Sequence, residues 1–438
     1  MSVYANNILQ TVQTYQRGGL ASYTNLACLL TLANKRFRNF DEIGTNLGST
    51  VTFDLQPRAI VNQGLVVNWQ PAIQRVQTLT CDQAANASFS VSAEQLIFNL
   101  DKGEESYMKV FAEQFMAELA NSIEANIGLN FISSVAAPNT GVLYTNSGPY
   151  RFYGNGTTNL SSFGQLAQSV TQHATYSTVR TGIKYILPDI VVPSIVTSGL
   201  GQFAPLRNDR IAYTYELGSF GSPVVEYYNS NLLPQHTSGN TGVNAQTLTV
   251  VSTNDPTGQN VTQITFSGAT ASDLNAVFAG DLFVFNNGVS GFNNLCYLTF
   301  VGHIPSAAPV QFRATANAAA NASGQVVVNI TPALNWAGGN TQNLQYPIQA
   351  GMQVSGLPSH RAGCIISGDS LFLAMPRLPD QVPFPTANET DMDTGANLRA
   401  TYGTVYGQNQ LGLTIDCVWG STLVPELTTR VIVPLTQY

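Results

Sequence analysis

Ser370 comes nearest, by type and setting, to a residue equipped for covalent chemistry. It stands in Gly368-Asp369-Ser370-Leu371, the motif of a serine-hydrolase class in which the serine lies near the N-terminus and a general-base histidine follows it. Here His173, His236, His303 and His360 all precede Ser370, so no base follows to take its proton, and chance accounts for the match. Asp393-Thr394-Gly395-Ala396 has the form of an aspartic-protease tripeptide, which needs a second such carboxylate to share a proton. No second Asp-Thr-Gly or Asp-Ser-Gly occurs, and the polar flank Thr386–Asp391 predicts a loop where that chemistry sits on an apolar strand. The histidines are isolated, and no His, Cys or carboxylate spacing suits a metal. There is no phosphate-cradling Gly-x-x-x-x-Gly-Lys-Ser/Thr loop, and Gly199-x-Gly201 has no third glycine at dinucleotide spacing. The sequence offers no catalytic, cofactor-binding or metal-binding set.

The elements that would have to position any site are more informative. Phe111, Phe115, Leu119, Ile123, Ile127 and Phe131 recur every four residues, with Met108, Ala112, Met116 and Ala120 on the adjoining row. That period predicts one long amphipathic helix from Lys102 to about Val135, with this stripe as its core face. Glu104, Glu105, Lys109, Glu113, Glu118 and Glu124 fall mostly outside the stripe. Asp101 with Glu104 forms a capping-box pattern and Pro138 a stop. At this length the rod would span about 50 Å.

Before the helix, Val51, Phe53 and Leu55 alternate with Thr52 and Asp54 as a strand does, and a run from Leu65 to Thr80 returns after the turn-like Asn62-Gln63-Gly64. This is a long hairpin with few partners nearby in the chain. A two-stranded ribbon is marginal in water by itself, so it is expected to find its support elsewhere, on another subunit.

The chain has 438 residues, 44% of them hydrophobic, enough for more than one core. Only 10% are charged, so Asn, Gln, Ser and Thr must supply the surface polarity, which permits extensive protein contact. A net charge of −7 and the lack of a basic stripe argue against a dedicated nucleic-acid binder. No apolar run approaches a membrane span, and Leu26 to Ala33, followed at once by Asn34, Lys35 and Arg36, reads as a short helix. Cys28, Cys81, Cys296, Cys364 and Cys417 are widely separated and read as reduced thiols, implying cytosolic synthesis.

Further along, a helix is expected over about Ser161 to Tyr176, and Ile190-Val191-Val192 between two prolines reads as a strand. From His236 the composition shifts. Between Thr237 and Met352 the only charged residues are Asp255, Asp273, Asp281 and Arg313, and short β-rich runs alternate with Gly, Asn and Ser turns. These runs are Thr247–Val251, Gln263–Phe266, Leu282–Phe285, Cys296–Val301 and Gln325–Ile330. They predict a small all-β barrel or sandwich inserted into a mixed host.

Read in order, the N-terminal arm, the stretch Arg36-Phe37-Arg38-Asn39-Phe40-Asp41-Glu42-Ile43-Gly44, the strand entry Gly48-Ser49-Thr50-Val51-Thr52-Phe53, the long hairpin and the spine-like helix resemble the major capsid proteins of tailed bacteriophages. Leu217-Gly218-Ser219-Phe220-Gly221, Tyr228 to Pro234 and the β insertion with Gly280-Asp281 are similar to the coat proteins of short-tailed Salmonella phages. The resemblance implies the α+β, Hong Kong 97-like capsid fold. Its parts would be an N-terminal arm at 1–45, an extended loop at 46–82, a peripheral domain with the spine helix at 83–138, apical segments at 139–235 and 356–438, the latter returning to the peripheral domain, and the inserted β domain at 236–355.

It also implies a non-enzymatic shell protein that assembles with itself into hexamers and pentamers of an icosahedral head, without a cofactor, in the virion. Scaffolding protein, portal and terminase are partners by the same implication, and double-stranded DNA is enclosed without sequence-specific binding. Some relatives crosslink through a lysine of the extended loop; the lysines here are Lys35, Lys102, Lys109 and Lys184, none of them in that loop. Cohesion would then rest on Leu65, Val66, Val67 and Trp69 as apolar anchors and on Arg58 and Arg75 as ion-pair partners across subunits. Trp69 as an ordinary core aromatic is the competing reading. Two other classes stay open: a secreted or surface-layer β-rich adhesin, which would need an export signal, and a hydrolase with an accessory β domain, for which Asp391 and Asp393 are the only obvious carboxylate cluster.

Overall fold

The computed structural model describes residues 28–34, 50–55, 57, 67, 69, 74–92, 104–137, 141–144, 148–177, 182–195, 216–218, 225–299, 302–368, 370–380, 386–390, 396–404 and 410–436. It is mixed α and β, with a closed barrel.

The long helix runs Glu104–Gly128 and tightens into a 3-10 turn, Leu129–Ile132. It therefore stops short of Val135. Ser133 takes a left-handed conformation (φ 66°) and the chain turns into the strand Ser134–Ala137. The left-handed residue is the physical stop, since its N–H folds back onto the carbonyls of Leu129 and Asn130. Gly148 lies against it so closely that a Cβ there would come within 2.0 Å of the Ser133 hydroxyl. Asp101 and Pro138 lie outside the described residues.

Met116, Leu119, Ala120, Ile123, Ile127 and Phe131 are buried in one core with Leu29, Leu30, Leu413, Ile415 and Trp419. Phe111 and Phe115 are only half-buried and stack on Phe89, at ring separations of 5.8 and 5.0 Å. The stripe thus enters the deep core only toward its C-terminal end. The strand carrying Phe89, Gln83–Ser92, pairs with the long strand Gln410–Leu423, which continues through Asn397–Thr404 to the edge strand Thr386–Thr390. A strand forms at Thr386–Thr390, where the polar flank had predicted a loop, because an edge strand with one wet face accepts Thr and Asn.

A second sheet is mixed. Its order is Phe152–Tyr153, Thr428–Val433, His360–Ser367, Ile183–Pro188, Val225–Ser230, Glu216–Gly218. The helix Phe163–Ser177 begins with a reciprocal cap, in which Ser162 Oγ takes the Gln165 N–H while Gln165 Oε1 takes those of Ser161 and Ser162. The expected strand at Ile190–Val192 is instead a 3-10 turn, Asp189–Val191, leading into the helical turn Val192–Ile195. Pro193 suits the first turn of a helix, where its missing N–H costs nothing.

The chain leaves this sheet at Gln235–His236 and returns at His360–Ser367, and the departing and returning residues pair: Gln235 with Arg361, His236 with His360. Between them six strands close a barrel in the order Thr247–Thr253, Val261–Ser267, Gln325–Leu334, Gln311–Ala314, Leu282–Phe285, Gln353–Gly356. Phe266, Phe283 and Phe312 stack near-parallel in its centre, with ring separations from 5.4 to 6.4 Å. The run expected at Cys296–Val301 is a shorter strand, Cys296–Leu298, outside the barrel and paired with Pro305–Pro309.

Candidate assembly surface

The ribbon consists of Thr50–Leu55 and Arg75–Thr80 in antiparallel register, Thr50 opposite Thr80 and Leu55 opposite Arg75. Alternation gives it two faces. Val51, Phe53, Leu55, Arg75, Gln77 and Leu79 turn inward, while Thr50, Thr52, Asp54, Val76, Thr78 and Thr80 are exposed. The inward face rests on the chain's own body. Leu79 is buried with Ala374, the Phe53 and Phe372 rings lie 4.2 Å apart, and Gln77 Nε2 donates to Thr422 Oγ1 at 3.0 Å. Gly420 lets the ribbon come this close, since a Cβ there would fall 2.1 Å from the Thr80 carbonyl oxygen. This corrects the expectation that the ribbon depends on a second subunit: its described strands are supported at home.

Two described residues between the strands are different. Val67 is 70% exposed and Trp69 is 91% exposed. Trp69 is therefore no core aromatic. Arg58, Leu65 and Val66 lie outside the described residues. Arg75, expected to meet an acidic residue across a subunit boundary, forms an ion pair with Glu426 of its own chain.

Two buried polar clusters hold the body that carries this surface, and neither was read from the sequence. In the first, Glu124 is only 1% exposed and caps the short helix Cys28–Leu32, its two oxygens taking the Leu29 N–H at 2.8 and 2.9 Å and one of them the Leu30 N–H at 3.3 Å. The signal was available: Glu124 continues the row Met108, Ala112, Met116, Ala120 at spacing four, whereas the exposed Glu118 does not. Beside it Asn126 accepts from Trp419 Nε1 at 3.1 Å.

Burial pushes the Glu124 carboxyl up from an ordinary 4.5 to about 7, against the backbone N–H groups of Leu29, Leu30 and Cys28, which favour the anion. Because the folded value exceeds the unfolded one, this contribution to stability is fully present below 4.5 and is lost as pH rises through about 7. The loss is on the order of 3 kcal/mol. Glu124→Gln, neutral at every pH and still offering a carbonyl oxygen, is expected to flatten this part of the profile and to melt higher than the native chain at pH 8. Identical melting curves for the two proteins from pH 5 to pH 8 would refute this assignment.

The second cluster joins barrel, central sheet and helix end. His236 Nε2 donates to Asp281 Oδ1 at 2.8 Å, and Asp281 Oδ2 accepts the Phe278 and Gly239 N–H groups at 2.8 and 3.1 Å. His360 donates from Nδ1 to the Pro358 carbonyl at 2.8 Å, leaving Nε2 to face Arg430 Nη1 at 3.4 Å. The buried Arg430 also donates to the Gly280 carbonyl (3.3 Å) and the Ser133 hydroxyl (3.4 Å). Burial holds His236 and His360 below the usual histidine value, so both are neutral spacers. The arrangement fastens these elements together.

Ser370, the residue before the strand Leu371–Ala374, is fully buried. Asp391 and Asp393 lie outside the described residues, and among the described residues no group of His, Cys, Asp and Glu is arranged to hold a metal. All five cysteines are free thiols. No helix among the described residues is long and apolar enough to cross a membrane.

No family model matches the chain, and no curated protein matches it. Solved structures resemble it over most of its length at very low identity. One from Mycobacterium phage Che8 has a TM-score of 0.42 at 8% identity, covering 91% of this chain and 89% of that one. The capsid of Ralstonia phage GP4 gives 0.40 at 8%, covering 92% and 86%. The virus-like particle from Pyrococcus furiosus gives 0.36 at 6%, covering 96% and 98%.

Proposed function

We propose that the chain is the major capsid protein of a tailed bacteriophage, built on the Hong Kong 97-like fold, and that it assembles with itself into the icosahedral head enclosing the double-stranded DNA genome. One observation carries the reading. A ribbon anchored to its own body at the base presents an uncovered tryptophan and valine beyond its ladder, on a chain whose surface is poor in charge. Tryptophan is the kind of side chain that anchors protein interfaces.

In this reading 1–45 is the N-terminal arm, 46–82 the extended loop, 83–138 the peripheral domain with its spine helix, 139–235 and 356–438 the apical segments with the return to the peripheral domain, and 236–355 the inserted β domain. Trp69 and Val67 seat on a neighbouring copy, joined by Arg58, Leu65 and Val66. Each contact is modest, and closed symmetry multiplies it into a stable shell while single mistakes remain reversible. Scaffolding protein and portal are the further partners, and DNA is held by enclosure. The product resides in the virion and is made in the bacterial cytoplasm. A hydrolase finds no support in the buried Ser370.

The test is electron microscopy with sedimentation of the purified full chain across a concentration series. Closed shells or discrete hexamers and pentamers are expected. A monomer at every concentration, with and without a co-expressed scaffold, would overturn the proposal.

A further inference from the structure

The chain enters the barrel beside the place where it returns, with Gln235 opposite Arg361 and His236 opposite His360. Both histidine rings are buried, their centroids 5.4 Å apart. Their partners differ in sign. His236 faces the carboxylate of Asp281, which favours a charged ring, whereas His360 faces the guanidinium of Arg430, which opposes one.

The two contacts of His360 fix where its proton sits. The Pro358 carbonyl can only accept, so Nδ1 carries the hydrogen of that 2.8 Å bond; a guanidinium can only donate, so Nε2 presents its lone pair to Arg430 Nη1 at 3.4 Å. A second proton on this ring would set N–H against N–H and cation against cation away from water. Arg430 is fully buried and also bonds the Gly280 carbonyl of the barrel and the Ser133 hydroxyl at the end of the long helix. Displacing it loosens barrel, sheet and helix end together.

The surrounding charges add to this opposition. Asp281 and the buried Arg313 act on the group from the barrel, and Arg430 and the Cys364 thiol from the central sheet. Arg361, next in the strand, points to its other face. Among these described residues two arginines stand against one carboxylate, a surplus of positive charge before either ring is protonated.

We infer that His360 is an acid-sensing joint, in which uptake of a proton at Nε2 breaks the contact with Arg430 and loosens the inserted barrel from its host sheet. Burial, Arg430 and His236 hold the folded ring well below the ordinary 6.5. A ring depressed in this way contributes its stability in full above about 6.5 and loses it as pH falls through the folded value. Glu124 has the opposite sign, so the two clusters separate by pH. The joint operates in a single chain and does not depend on the capsid reading.

The test follows amide hydrogen exchange of the full chain from pH 7.5 to pH 5, with protection corrected for the intrinsic pH dependence of exchange. Protection of residues 235–236 and 360–362, where the Ala362 N–H bonds the Pro234 carbonyl at 3.0 Å, is expected to fall at least about tenfold, while the barrel strands Val261–Ser267 and Gln325–Leu334 keep theirs. His360→Gln, which keeps an acceptor toward Arg430 and takes up no proton, is expected to lose this response, and His236→Gln to retain it. Level protection at the joint of the native chain would overturn the inference, as would an unchanged response in His360→Gln or one lost in His236→Gln instead. If His360→Gln does not fold, a carbon-13 label at Cε1 of the four histidines reports the rings of the native chain directly, with the other three replaced in turn for assignment. A His360 signal that titrates together with the loss of protection supports the joint, and one that does not overturns it.

Discussion

Ile127→Asp is expected to leave no folded protein. Ile127 is completely buried in the core shared by the long helix, Leu29, Leu30 and the sheet strand that carries Trp419. An aspartate there loses the packing of a large aliphatic side chain and places a carboxylate inside an apolar core. Each effect costs several kcal/mol, and together they reach the whole stability of an ordinary domain. The same change at Phe115 is expected to be milder, because that ring is half-buried and stacks mainly on Phe89. Soluble yield and far-UV circular dichroism of the two variants supply the check. A folded Ile127→Asp protein, or a Phe115→Asp protein that is the worse of the two, would mean that the depth of the stripe is misassigned.

Trp69→Ala is expected to abolish shells while leaving the unassembled chain's melting temperature unchanged. With 91% of its surface open, the indole contributes almost nothing within its own chain, so truncation there is nearly neutral for folding. At an interface, loss of a central aromatic anchor costs roughly 2 kcal/mol or more, and the loss recurs in every copy of a closed array. Sedimentation of assembly reactions, set beside thermal melting of the free chain, separates the two effects. A lowered melting temperature would place Trp69 in an intramolecular role, and normal shells would remove it from the interface.

Much of the body could be read from spacing. The four-residue period located the long helix, the alternation of Val51, Phe53 and Leu55 gave a ribbon strand, and four of the β-rich runs after His236 fall on barrel strands, while Gln311–Ala314 and Gln353–Gly356 went unread and Cys296–Leu298 lies outside the barrel. Such patterns are legible because they express local geometry, the 3.6-residue turn and the two-residue pleat, which the chain carries without reference to distant parts. The misreadings share a cause as well. Ile190–Val192 looks like a strand by composition, yet Pro193 fits a helical first turn and the neighbouring sheet positions are filled by Ile183–Pro188 and Val225–Ser230.

The sequence by itself therefore determined the long helix, a strand of the ribbon and most of the barrel strands. Only the tertiary structure decided who meets whom. Arg75 finds Glu426 across 351 positions, Glu124 caps Leu29 across 95, and Arg430 reaches the Gly280 carbonyl across 150. A charged side chain carries no mark of its partner. Its cost when buried is met by whichever groups the fold brings within about 3 Å, and that depends on how all the sheets and the barrel pack together.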